Sequence, residues 1–196
     1  MAPPRKHSTD VILDAARTLV LRDGPRAAGV AAIAEASGAP VGTLYHRFGN
    51  RDGVLSATWL RALERFQAGV LTATEVDDPI EAAVVITSAA LAFGREFPDD
   101  ARLMLNLRLG DLLDGGPDAQ FRERRAEMNA PLLQLLNRIA HGIYGAAGER
   151  EIDAVTRAVV DLPYSALRRH AQSKELPEWL EADLAAATRA LLTAHA

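Results

Sequence analysis

The stretch Val30–Asp52, VAAIAEASGAPVGTLYHRFGNRD, decides the fold. It reads as two short helices with a tight break between them. Val30, Ile33 and Ala34 recur at helical spacing, and Gly38 ends the first helix because glycine takes the left-handed cap conformation freely. Pro40 has no N–H to give and can open a helix but not continue one, so the second begins there. On a wheel of about 100° per residue, Val41, Leu44 and Phe48 fall on one face. Gly42, Thr43, His46 and Arg47 form a contiguous arc on the other, with Tyr45 at its border. A small residue for close approach, two neutral hydrogen-bonding groups and a cation suit a phosphate-lined groove. The pattern predicts a helix-turn-helix with Val41 to Phe48 as the recognition helix.

The longer run GVAAIAEASGAPVGTLYHRFGNRDGVL resembles the DNA-binding signature of the TetR (tetracycline-repressor) family of transcriptional regulators. The matching positions are Ile33, Ala34, Gly38, Gly42, Thr43, Leu44, Tyr45, His46, Phe48 and the basic Arg51, within about the first quarter of the chain. The resemblance implies a ligand-responsive repressor that binds double-stranded DNA as a homodimer on a palindromic operator. A small apolar effector entering the body would release the DNA. Arc and resemblance together assign DNA contacts to Gly42, Thr43, Tyr45, His46 and Arg47, with added charge from Arg51 and from Arg5 and Lys6 in the amino-terminal arm. The family usually starts both helices of the pair with Ser or Thr. This chain has Ala28-Gly29 and Pro40-Val41 there, which leaves helix N–H groups open for DNA phosphates to cap.

Upstream, Ser8 can cap a helix whose buried stripe is Ile12, Ala15, Ala16, Leu19 and Val20, and Asp23-Gly24-Pro25 ends it. A three-helix head follows, with Ile12, Leu19, Ile33, Leu44 and Phe48 as its core. Net charge is −4 overall, yet residues 1–60 carry seven Lys/Arg against five Asp/Glu while the rest carries fifteen against twenty-one. A mildly basic head on an acidic body fits a protein that touches DNA with one end.

Downstream, Asn50 can cap a long one-sided helix through Leu55, Trp59, Leu63, Phe66 and Val70, the connector to the body. Pro79 opens a helix that is apolar nearly all round and therefore central, and Phe97-Pro98 breaks it. Asp114-Gly115-Gly116-Pro117 is a turn, and residues 117–145 are compatible with one kinked helix or with two, the second capped by Asn129. Pro163 is expected to kink the next helix. The class is all-α with about nine helices. The expected division is residues 1–50 as DNA-binding domain and 51–196 as ligand-binding and dimerisation domain. Ile152, Val155, Val159 and Leu162, with Leu180, Leu184, Ala187 and Leu191, make two apolar stripes expected to pair across a two-fold axis. An apolar pocket is expected at Phe93, Phe97, Met104, Leu107, His141 and Tyr144, with Arg108 as polar anchor; core packing is the simpler reading for Phe93, Phe97, Met104 and Tyr144, and neutralisation by Asp111 for Arg108.

Other classes find little support. There is no cysteine for a disulfide or thiolate site. The five histidines carry no Glu-x-x-His or H-E-x-x-H spacing, and no G-x-S-x-G or phosphate-cradling loop occurs, so neither enzyme, metal nor cofactor is expected. No apolar run approaches the roughly 18 residues of a membrane span and no export signal is visible, so a cytoplasmic protein is expected. The alternative is a helical module that binds a ligand or a protein and whose head reads no specific DNA.

Overall fold

The computed structural model describes residues 8–171, 173 and 175–194, and every regular element among them is helical. The α-helices are α1 (Thr9–Asp23), α2 (Val30–Ser37), α3 (Val41–Phe48), α4 (Arg51–Val70), α5 (Pro79–Glu96), α6 (Pro98–Asn106), α7 (Leu109–Leu112), α8 (Ala119–Tyr144), α9 (Glu149–Thr156), α10 (Leu162–His170) and α11 (Trp179–Thr193). Helices α9 and α10 form one continuous rod through a π turn, Arg157–Asp161. Counted so, the described residues make ten helices, one of them the single turn α7.

The boundaries follow local chemistry. Ser8 Oγ accepts the Val11 N–H at 3.3 Å, Asn50 Oδ1 that of Gly53 at 2.8 Å, and Asp118 Oδ1 that of Phe121 at 2.7 Å. Asp78 Oδ1 takes both Ile80 and Glu81 N–H groups at 2.9 Å in front of Pro79. Each satisfies a donor that the first helical turn leaves open. Gly38 closes α2 with φ of 66°, in the left-handed region. Residues 119–144 are one helix with Pro131 inside it, so Asn129 caps nothing. Its Oδ1 instead accepts from Gln67 Nε2 of α4 at 2.8 Å.

Among the described residues, three apolar clusters form the core. The first joins Ile12, Leu19, Ile33 and Leu44 of the head to Val54 and Leu55 of α4, and reaches Leu103, Leu112 and Leu113 of the body. The head core thus continues across residue 50 and rests on α6 and α7. The second gathers Ile86, Leu135, Ile139, Val155, Val159 and Leu192, and the third Leu91, Leu167, Leu180 and Leu184. Helix α5 is central as its composition predicts, packing against α4, α6, α8, α10 and α11. Arg189 of α11 holds Glu81 of α5 through two hydrogen bonds of 2.9 and 2.8 Å, which keeps that carboxyl below its ordinary pKa.

The π turn has a local cause. Pro163 has no N–H, so it cannot return a bond to the preceding turn. The chain widens by one residue, and Leu162 N–H bonds to the Arg157 carbonyl, five residues back. Ala158 then needs another donor, and Thr188 Oγ1 of α11 supplies one at 3.4 Å while sharing a 3.0 Å hydroxyl contact with Thr87 of α5. The expected kink at Pro163 is therefore a widened turn, tied by two buried hydroxyls to the central helix.

Candidate nucleic-acid interface and effector pocket

Helix α3 is pinned by one face. Leu44 is 1% exposed in the head core and Phe48 packs half-buried beside it. Val41, Gly42, Tyr45 and His46 are exposed, with Thr43 and Arg47 at the flanks of that arc. Val41 therefore does not share the buried face expected for it. The burial centre lies between Leu44 and Phe48 and turns Val41 outward to 43% exposure, next to Tyr45 at 54%. The outward surface is two apolar or aromatic side chains around a glycine, with His46 beyond.

Two glycines, Gly42 within α3 and Gly53 in the first turn of α4, differ in kind. A methyl group added at Gly42 would meet nothing within 4 Å, and the residue sits inside a helix, where glycine costs about 1 kcal/mol relative to alanine. Nothing among the described residues requires it. At Gly53 the same methyl would stand 1.9 Å from the Phe48 carbonyl oxygen, so the close approach of α3 and α4 depends on that glycine. Both helices of the pair begin without a side-chain cap, at Gly29 and at Pro40.

Arg51 is placed otherwise than expected. It is 16% exposed in its side chain and binds inward: to Pro25 O at 2.6 Å, Asp52 Oδ1 at 2.8 Å and Asp114 Oδ2 at 3.1 Å. Asp52 in turn accepts the Asp114 and Gly115 N–H groups at 3.2 and 3.0 Å. The pair ties the α1–α2 connection, the start of α4 and the loop after α7 into one knot. Arg5 and Lys6 lie outside the described residues.

A second knot joins α1, α4 and α6. Asp100 of α6 is fully buried and accepts Arg17 Nη1 of α1 at 2.5 Å and Arg65 Nη1 of α4 at 2.6 Å. Arg65 also stands 5.0 Å over the Phe97 ring. Arg61 of α4 binds Asp10 and Asp14 of α1 at 3.0 and 2.7 Å. A buried carboxylate is tolerated only when paired in this way.

Beside α6 is an apolar cavity of about 210 Å³, with Phe66, Phe93, Met104, Leu132, Val159 and Tyr164 among its walls. Phe93 and Met104 are in the expected set; the other five expected residues are elsewhere. Phe97 lines a separate groove between α4 and α5, and Leu107 packs on the head core. Arg108 is exposed ahead of α7, and His141 is exposed near the end of α8. Tyr144 donates to Leu192 O at 3.3 Å, and burial raises its phenol pKa. Periodicity cannot show that a π turn brings Val159, Val160 and Pro163 to one hollow. Pro163 inside a helical pattern was the available signal.

The expected pairing stripes are mostly internal. Val155, Val159, Leu180 and Leu184 are buried within the chain, and Ile152, Leu162 and Ala187 are partly covered. They are core residues because α5 and α8 already cover that side of the rod and of α11. Only Leu191 remains open, at 41%. The outward faces carry Val160 and Tyr164 on the rod and Trp179, Ala182, Ala186 and Ala190 on α11.

Residues 12–58 match the model of bacterial regulatory proteins of the tetR family. No curated protein matches the chain. Among solved structures, the fatty acid degradation regulator FadR from Bacillus halodurans superposes with a TM-score of 0.70 at 20% identity, covering 94% of this chain and 98% of that one. FadR from Bacillus subtilis, solved with stearoyl-CoA, gives 0.67 at 18% identity over 96% and 100%. A transcriptional regulator from Rhodococcus sp. Rha1 gives 0.73 at 18% over 95% and 97%.

Proposed function

For a chain with a tetR-family regulatory domain over residues 12–58 and the fold of TetR-type regulators along its length, we infer a ligand-responsive repressor that binds operator DNA as a homodimer in the cytoplasm. The observation that carries the DNA reading is Gly42. It is a helix-weakening residue in open space, at the centre of an exposed arc, and close approach of a DNA backbone gives it a purpose. Thr43, Tyr45, His46 and Arg47 are the accompanying contacts, and the uncapped starts of α2 and α3 offer N–H groups to phosphates. Arg51 is a positioning residue that holds the head on the body.

Pairing is assigned to the outward faces of the rod and α11, with Val160, Tyr164, Trp179, Ala186 and Leu191 as contacts. The alanines permit close helix approach. Two heads would then read half-sites about 34 Å apart. The effector is a small molecule with apolar surface, in keeping with the cavity against α6 and with the stearoyl-CoA held by one structural relative. Its wall residue Ala101 follows Asp100 directly, so a shift of α6 acts on α1 and α4 together.

Selection from random-sequence duplexes with the full chain tests this reading. The expected product is a pair of inverted half-sites, and Tyr45→Ala should lose at least about tenfold in affinity for it, about 1.4 kcal/mol. Val160→Asp should give a monomer by sedimentation with its fold intact. Selected duplexes without symmetry, or a dimeric Val160→Asp, would remove the homodimer; no enrichment at all would favour the helical binding module.

A further inference from the structure

The apolar cavity does not stand alone. A second hollow of about 240 Å³ adjoins it, and Ala101, Leu105 and Leu167 line both. Neither reaches the roughly 300 Å³ at which small-molecule sites begin, whereas the two together do. Their chemistry differs. The first is walled almost wholly by hydrocarbon and aromatic side chains. The second presents Arg95, Arg102 and His170, with Glu175 as the single carboxylate among its described lining residues.

The two guanidinium groups are held but not saturated. Arg95 gives Nη1 to Glu181 at 2.5 Å, and Arg102 gives Nε to the Ala171 carbonyl and Nη1 to Asp99, each at 3.0 Å. A guanidinium carries five N–H donors, so both keep donors for another acceptor. Their fixed attachment reduces the entropy lost on gripping an anion. The junction between the hollows consists of an alanine and two leucines. A rotamer change at half-buried Leu105 would let a methylene chain through, while a fused ring system would need the helices to part.

We propose that the effector is a single-chain anionic amphiphile, with its tail in the apolar cavity and a carboxylate or phosphate head on Arg95 and Arg102. This rests on the effector reading above and adds to it the charge and shape of the ligand. The tail supplies affinity through buried apolar area, and the head selects against neutral chains of the same length. With the head fixed beside Arg102 and the tail against Met104, such a molecule bears on α6, the helix that carries Asp100.

The test uses the full chain on its selected duplex, with decanoate, decyl phosphate and decanol below their micellar concentrations. Binding is read by thermal shift and DNA release by fluorescence anisotropy. At least one anionic probe should bind and release DNA at about tenfold lower concentration than decanol, and the better of the two identifies the head as carboxylate or phosphate. Arg95→Gln and Arg102→Gln should each shrink that preference to under about threefold with decanol affinity unchanged, and Arg102→Lys should restore most of it. Equal binding of all three probes overturns the amphiphile and leaves an apolar effector standing. An anion preference that survives both glutamine variants overturns the head site. No binding of any probe overturns the amphiphile and the apolar effector alike.

Discussion

At the scale of single residues, α3 is surrounded by positions whose purposes are opposite. Gly42→Ala should stabilise the free protein by about 1 kcal/mol, because a weak helix former is replaced in open space. It should also weaken operator binding by about tenfold if the glycine serves DNA approach. Denaturant melts and a binding isotherm on one preparation decide it, and a stabilised variant of full affinity would leave Gly42 without a role. Gly53→Ala should destabilise by about 1–3 kcal/mol, since the methyl collides with the Phe48 carbonyl and α3 must move. Arg51→Ala gives a third result. Its guanidinium already binds Pro25 O, Asp52 and Asp114, so the loss should appear as stability, about 1.5–3 kcal/mol, with the slope of affinity against salt unchanged. A slope lowered by about one unit would return Arg51 to the phosphate contacts.

At the scale of elements, the rod of α9 and α10 carries the least predictable local structure. Its π turn leaves the Ala158 carbonyl dependent on Thr188, which is itself fully buried against Thr87. Thr188→Val keeps the shape and removes the donor, so it should cost about 1–3 kcal/mol as an unsatisfied buried carbonyl. Thermal melts of Thr188→Val beside Thr188→Ser separate the hydroxyl from the methyl: the serine variant should recover most of the loss. Were both variants equally weak, packing rather than the hydrogen bond would be the cause. The rod was legible as a helix from Ile152, Val155, Val159 and Leu162. Which way that stripe faced was not, because an apolar stripe is the same pattern whether α5 and α8 or a second molecule covers it.

At the scale of the whole molecule, head and body share a core and two charged knots. Leu103, Leu112 and Leu113 of the body complete the head cluster, and Asp100 binds α1 and α4 at once. Arg65→Met would keep Asp100 paired with Arg17 but cut the tie to α4. DNA affinity without effector should stay within about threefold of the parent, while the effector-induced change, ordinarily about 1–3 kcal/mol, should fall by more than half. Anisotropy titrations with and without the effector measure both quantities. A coupling free energy equal to the parent's would place the signal path away from Asp100.

The sequence by itself determined the all-α class, the helix pair with its αL glycine at Gly38, the caps at Ser8 and Asn50, and the central place of α5. All of these follow from interactions within a few residues, or from a periodicity that one helix displays alone. Only the tertiary structure decided that Val41 faces outward, that Arg51 turns inward, that Val159 is core, and that Phe93 and Met104 meet Val160 and Tyr164 around a cavity. Those outcomes depend on which helix covers which face and on partners far apart in sequence, such as Arg51 with Asp114 and Asp100 with Arg17. A one-residue widening at the π turn then rotates everything beyond it, a small local change with long-range consequences that no single stretch of sequence displays.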